Sequence, residues 1–148
     1  MLTRNGKALL FVNKQYNRAS IALVATDGTI QTFSASASDY YNKIYANNKL
    51  VVGTDSGEPT VDDSNMIIDS NLTVVSRSNT TNNSASYANN YILSCTATFK
   101  NSTNNPITIR QVGIVTDSNS YIFLMAKEKI SSVTIQPQHT YTFSLTIG

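Results

Sequence analysis

Strict alternation of apolar and polar residues between Tyr91 and Ile147 constrains this chain most, because a two-residue period places every apolar side chain on one side of an extended backbone. Tyr91, Leu93, Cys95, Ala97 and Phe99 share one side, with Ser94, Thr96 and Thr98 on the other. Tyr141, Phe143, Leu145 and Ile147 alternate in the same way with Thr140, Thr142, Ser144 and Thr146. Both segments predict strands with one wet face. Between them, Ile107–Val115 is rich in β-branched residues, and the turn-forming run Asn101–Pro106 that precedes it predicts a hairpin with the Tyr91–Phe99 strand. Tyr121–Ala126 is apolar on both parities, which predicts a central strand covered on both faces.

The inward parity changes within one of these strands. Ile107 and Ile109 share a parity, whereas Val112 and Ile114 have the other. A β-bulge at Arg110–Gln111 restores register and spares Arg110 unpaired burial, the alternative being a strand covered on both faces.

Composition points the same way. Asn, Ser and Thr supply 53 of the 148 residues, side chains that favour turns and strand faces over helices. Charged residues make up 14%, against about a quarter in ordinary globular proteins, and the net charge is +2. That balance calls for neither sequence-specific nucleic acid nor a membrane surface as partner. A surface so poor in charge does little to hold copies apart, as suits a protein that works inside an assembly. The single Cys95 falls on the apolar side of its strand and predicts an inert buried thiol.

The length predicts a single domain over residues 1–148, with 1–38 as an N-terminal arm or added hairpin. Lys7–Val12 is the segment suited to reach a neighbouring copy. Thr26-Asp27-Gly28-Thr29 between two apolar runs predicts a hairpin closed by a type I′ turn. Ser38 or Asp39 caps a short helix expected through Ala46, on which Tyr41, Ile44 and Tyr45 share a face. Tyr40, Tyr41 and Tyr45 are the candidate ligand-facing aromatics, the competing reading being that they pack across one end of the sheet. A second short helix is expected over Asp62–Met66, capped by Asp62 or Asp63, and an exposed mobile loop or hairpin tip over Arg77–Asn90. The fold class that follows is mainly β, an antiparallel β-sandwich of jelly-roll or immunoglobulin-like kind with one or two short helices.

Catalytic patterns are missing. Asp55, Glu58, Asp62 and Asp63 do not reproduce a calcium loop and read as turn and capping residues. His139 is the only histidine and has no acid near it in sequence; no phosphate loop, nucleophile elbow or Cys/His metal spacing occurs. No catalytic residue, cofactor or metal is expected.

Leu50-Val-Val-Gly-Thr-Asp-Ser-Gly-Glu-Pro-Thr-Val-Asp-Asp-Ser-Asn-Met66 resembles a motif of tailed-bacteriophage structural proteins, of the form VGTGxxxPTxxDxxL. Ile107-Thr-Ile-Arg-Gln-Val-Gly-Ile114 is similar to the "ItIxEVGL" segment of their C-terminal β unit, and Ile135–Ile147 to its closing "ipaGxtytvtxtI" strand. The likeness runs from Leu50 to the C-terminus and leaves Met1–Asn48 unmatched. It departs from the pattern at Asp55, where a second glycine is usual, at Gln111, where an acid is preferred, and at Gln138, where glycine is. The resemblance implies a non-enzymatic component of a virion, in capsid, connector or tail, made in the host bacterial cytoplasm. It further implies homo-oligomers that contact other virion proteins, with Gly53, Pro59, Asp62 and Gly113 as turn, cap and close-packing positions. The alternative within the same particle is a receptor- or carbohydrate-binding module of a fibre, using the Tyr40, Tyr41 and Tyr45 group.

Overall fold

The structure is a computed structural model that describes residues 1–7, 21–33, 48–81, 93–118 and 120–147. The described part is mainly β and antiparallel throughout. Its strands are β1 (Ile21–Val24), β2 (Ile30–Phe33), β3 (Asn48–Gly53), β4 (Leu72–Thr81), β5 (Leu93–Asn101), β6 (Ile107–Ser118), β7 (Tyr121–Ile135) and β8 (Thr140–Ile147). One three-stranded sheet has the order β3-β6-β7, a second the order β4-β5-β8, and β1-β2 form a hairpin.

The two three-stranded sheets face each other in a sandwich-like body. Leu50, Val52, Val112, Ile114 and Phe123 from the first sheet meet Cys95, Ala97, Phe99, Phe143 and Leu145 from the second. Alternation put these side chains there, since each lies on the apolar parity of its strand. Phe99 and Phe143 meet edge to face with ring centroids 6.2 Å apart. Cys95 is among the buried set, and burial pushes its thiol up to about 11, so the thiolate is not populated near neutrality. On the other side of the second sheet, hydroxyls pair across β5 and β8: Ser94 with Thr146 at 2.9 Å, Thr96 with Ser144 at 2.8 Å and Thr98 with Thr142 at 2.7 Å. These rows are the wet faces of the alternating segments.

Three connections differ from the sequence expectation. The Asn101–Pro106 run does not close a hairpin, because β5 pairs with β4 and β8 while β6 pairs with β3 and β7. It carries the chain from one sheet to the other, and Asn101 is its buried hinge. Asn101 Nδ2 donates to the carbonyls of Asn105 (2.7 Å) and Ile135 (2.9 Å), and its Oδ1 accepts from the Thr103 N–H (3.0 Å) and hydroxyl (2.7 Å). Its backbone joins the 136–139 turn, donating to His139 O (3.0 Å) and accepting from Gln138 N (2.7 Å). At Asp27-Gly28 the hairpin forms but the turn is not type I′. Gly28 N donates to Ala25 O at 2.9 Å, and Gly28 (φ 87°) takes positive φ where Asp27 does not. This is a three-residue loop that ends on a left-handed glycine. Finally, Arg77–Thr81 continues β4 and pairs antiparallel with β5, so the segment expected as a loop or hairpin tip from Arg77 is paired strand for its first five residues; 82–92 lie outside the described residues.

The irregularity at Arg110 is present. Ile109 pairs with Val133 and Gln111 with Lys129, a register shift in which the extra residues are those of β7. Arg110 is only partly buried and donates to Thr54 O at 3.1 Å. A second shift between Ile114 and Val115 sets Met125 as the extra residue on β7.

β7 is buried on both faces between Phe123 and Lys127, but it is the edge of its sheet, not the centre. Other parts of the chain cover its free side. Thr3 N donates to Met125 O and Lys127 N to Met1 O, at 3.1 and 3.0 Å, while Thr26 N bonds Ile122 O at 2.8 Å. A helical turn over residues 4–7 follows. Of the segment 1–38, Met1–Lys7 is thus docked on its own sheet and 21–33 is the hairpin; the remainder of the Lys7–Val12 run lies outside the described residues.

Candidate functional site

The outer face of the β3-β6-β7 sheet is crossed by the chain that follows β3. Paired positions share a face, so Val51, Gly113 and Lys127 form one row there, and Gly53, Gln111 and Lys129 the next. Residues 54–71 leave β3, run back across this face and enter β4 in the other sheet, forming a strap.

Each anchor of the strap has a residue-level cause. Met66 lies over the sheet in a small apolar cluster with Val51, Val115 and Leu124, separate from the main core. Two glycines make the slot for it. A Cβ on Gly113 would lie 2.7 Å from Met66 Sδ, and one on Gly53 would overlap the Ile67 carbonyl oxygen and lie 3.0 Å from Met66 Cε. Beyond the slot, Asp69 N donates to Val52 O at 3.0 Å. Buried Gln111 donates from Nε2 to Gly57 O at 2.7 Å. Its Oε1 has no hydrogen-bond partner among the described residues, a cost set against that bond.

The five carboxylates of the strap serve as turn acceptors and ion-pair partners, Asp69 by accepting from Asn71 N at 2.7 Å. Asp55 Oδ1 accepts from Gly57 N at 3.2 Å, Glu58 pairs with Lys129, and Asp62 pairs with Arg4. Asp63 closes the turn: its carboxylate accepts from the Thr60 N–H (3.1 Å) and hydroxyl (2.8 Å), and from Lys127 Nζ at 3.0 Å. The helix expected over Asp62–Met66 is not formed. The Thr60–Asp63 turn uses the acid that a helix would have needed as a cap, and Met66 is drawn down into its slot. Asp62 is an exposed turn residue, and Pro59 lies within the strap, partly buried.

Lys127 is the one cation here withdrawn from solvent, with 9% of its side chain accessible. Burial works against the charged form of Asp63, but the Thr60 backbone and hydroxyl donors and the Lys127 ammonium together hold it below the ordinary 3.8. Because the folded value is depressed, the stabilisation is complete above 3.8 and drains away as pH falls through the lowered value. Hydrogen exchange is therefore expected to show the strap opening before the sandwich on acidification. Asp63→Asn removes that step and costs about 1–3 kcal/mol at neutral pH, by leaving Lys127 without its counter-ion.

Beside the Thr60–Asp63 turn, the helical turn and β1 enclose a cleft of about 350 Å³ lined by Arg4, Asn5, Val24, Asp62, Asp63 and Ser64. Its charged groups are already partnered, Arg4 with Asp62 and Asp63 with Lys127. Asn5 is fixed to Val24 by a matched pair of bonds, Val24 N to Oδ1 at 2.9 Å and Nδ2 to Val24 O at 2.7 Å. Arg4 N donates to Val61 O at 2.7 Å and joins this segment to the strap.

Tyr40, Tyr41 and Tyr45, with the helix expected around them, lie outside the described residues. His139 is exposed on the 136–139 turn, its N–H bonded to Gln136 O at 3.0 Å. Among the described residues, no group of three or more His, Cys, Asp or Glu could hold a metal ion, and no helix is long and apolar enough to cross a membrane. Residue-by-residue reading missed Met66, Lys127 and Asn101 as organising side chains. A signal existed for Lys127, a cation directly after the six apolar residues Tyr121–Ala126. Comparison with family models, curated proteins and solved structures finds no match to the chain.

Proposed function

We propose that this chain is a non-enzymatic structural component of a tailed-bacteriophage virion, part of its capsid, connector or tail, working as repeated copies beside other virion proteins. Within that reading the sandwich is of the jelly-roll or immunoglobulin-like kind. One observation carries it. The residues that resemble the phage motif, from Leu50 to Met66, supply the end of β3 and most of the strap, and their carboxylates are held in turns and ion pairs. A second support is the outer face of β5 and β8, where three rows of hydroxyls pair with one another and Lys100, opposite Thr140, is the charged position.

Mass spectrometry of purified particles combined with imaging tests the proposal. The expected result is a fixed copy number located between capsid, portal and tail. Copies confined to fibre tips, with glycan binding lost in Tyr41→Ala, would replace this reading by a carbohydrate-binding module. Substrate turnover abolished by His139→Ala would end the non-enzymatic reading.

A further inference from the structure

We infer that Asn5-Gly6 is a deamidation site gated by the docking of the Met1–Lys7 segment, and that its conversion prevents the segment from docking again. Asparagine followed by glycine is the dipeptide with least steric hindrance to ring closure, because the attacking nitrogen belongs to a residue without a side chain. The Gly6 backbone nitrogen attacks Asn5 Cγ and loses its proton as the Cγ–Nδ2 bond breaks and ammonia departs. Water then opens the succinimide at either carbonyl, leaving aspartate or isoaspartate. The net change replaces NH by O and requires only solvent water.

In the docked segment every component of that reaction is withheld. Asn5 is 5% exposed. Its carboxamide is held by Val24 on both atoms, and Nδ2 also faces Leu124 O at 3.4 Å. The attacking nitrogen is engaged, since Gly6 N donates to Thr3 Oγ1 at 3.3 Å. Gly6 itself is pressed against β7, where a Cβ would overlap the Met125 carbonyl oxygen. Thr3 fixes the arrangement by donating from Oγ1 to Leu124 O at 2.6 Å. The bonds to Val24, Leu124 and Met125 cross one contact, so undocking releases them together and leaves the Gly6–Thr3 bond, internal to the segment, to fray without the Leu124 anchor.

The product does not fit where the reactant did. An aspartate at position 5 still accepts from Val24 N, but the former Nδ2 donor becomes an anionic oxygen facing the Val24 and Leu124 carbonyls, while Arg4, the cation lining the same cleft, is paired with Asp62. Isoaspartate also displaces the backbone by a methylene. Either way Met125 O and Lys127 N on the β7 edge lose the partners that Thr3 and Met1 supply.

The experiment is peptide mass mapping of the full-length protein during incubation at mildly alkaline pH, folded and in denaturant, with a Thr3→Val variant in parallel. The folded protein should convert at least about tenfold more slowly than the denatured chain, and Thr3→Val should move toward the denatured rate. Equal rates folded and unfolded, or a Thr3→Val rate no faster than the original, overturn the gating. The second half is read on Asn5→Asp by hydrogen exchange: faster exchange of Thr3 and Lys127 amides with the β5–β8 pairing unchanged supports the block on redocking. Unchanged protection of those two amides overturns it.

Discussion

Replacing Asn101 with alanine is expected to lower folding stability by about 3–4 kcal/mol, a loss measurable as an earlier midpoint at unchanged slope in urea unfolding. The side chain makes four hydrogen bonds at a point where three segments of chain meet. Alanine keeps the backbone bonds to Gln138 and His139 but leaves the buried Ile135 carbonyl with no side-chain donor, and frees the Thr103–Asn105 loop. Each buried group left unpartnered costs about 1–3 kcal/mol, which outweighs the small transfer gain from removing an amide. Asn101→Asp is the sharper version. It preserves the acceptor for Thr103 and places a second oxygen against two carbonyls, so it should be at least as damaging as alanine although it is nearly isosteric. A loss under about 1 kcal/mol in either variant would mean that the corner is held by its backbone alone.

The second large effect is expected at the strap slot, where two glycine substitutions that look alike should behave differently. Gly53→Ala drives a methyl into the backbone oxygen of Ile67, which cannot swing aside, and is expected to cost about 2–3 kcal/mol or to lift the strap. Gly113→Ala meets chiefly Met66 Sδ, the flexible part of an unbranched side chain, and should cost less. Met66→Ala alone loses its contacts with Val51, Val115 and Leu124, about 2–3 kcal/mol. Combined, Met66→Ala should relieve Gly113→Ala by about 1 kcal/mol and leave most of the Gly53→Ala penalty in place. Equal rescue of both glycine variants in a double-mutant cycle would show that the Ile67 backbone is free to move and that the slot is defined by Met66 alone.

These two sites mark where sequence reasoning stopped. The strands of the C-terminal half were legible because each has one wet face, and the register shift at Arg110 because parity breaks beside a residue that resists burial. Pairing was not legible. Ile107–Val115 would have formed an acceptable hairpin with Tyr91–Phe99 on local grounds, and only the other sheet's need for a partner sends β6 away. The two-sided burial of β7 was read as centrality, when the cover comes from Met1–Thr3 on its edge and from the strap above Leu124. Neither covering segment shows a period of its own, since Met66 opens a three-residue apolar run of which it alone is buried, Ile67 and Ile68 being exposed, and Thr3 and Asn5 work through hydrogen bonds. The same limit applied at Asp62–Met66, where a helix cap and a turn closure need the same residue types and only the depth of the Met66 slot selects between them.

The crossing between sheets at Asn101 also sets the order in which the body can form. β5 needs β8 along its whole length, from Lys100 with Thr140 to Leu93 with Ile147, and β6 and β7 intervene in the chain. The intervening pair forms a local hairpin of its own, whereas the β5–β8 seam must close a loop of some forty residues or more, so its entropy is lost before its contacts repay it. During synthesis β5 therefore emerges with Phe99 and Cys95 uncovered and one edge open until β8 follows. Refolding should be slow, on the millisecond-to-second scale of sandwich topologies, with the β6–β7 amides protected before those of β8.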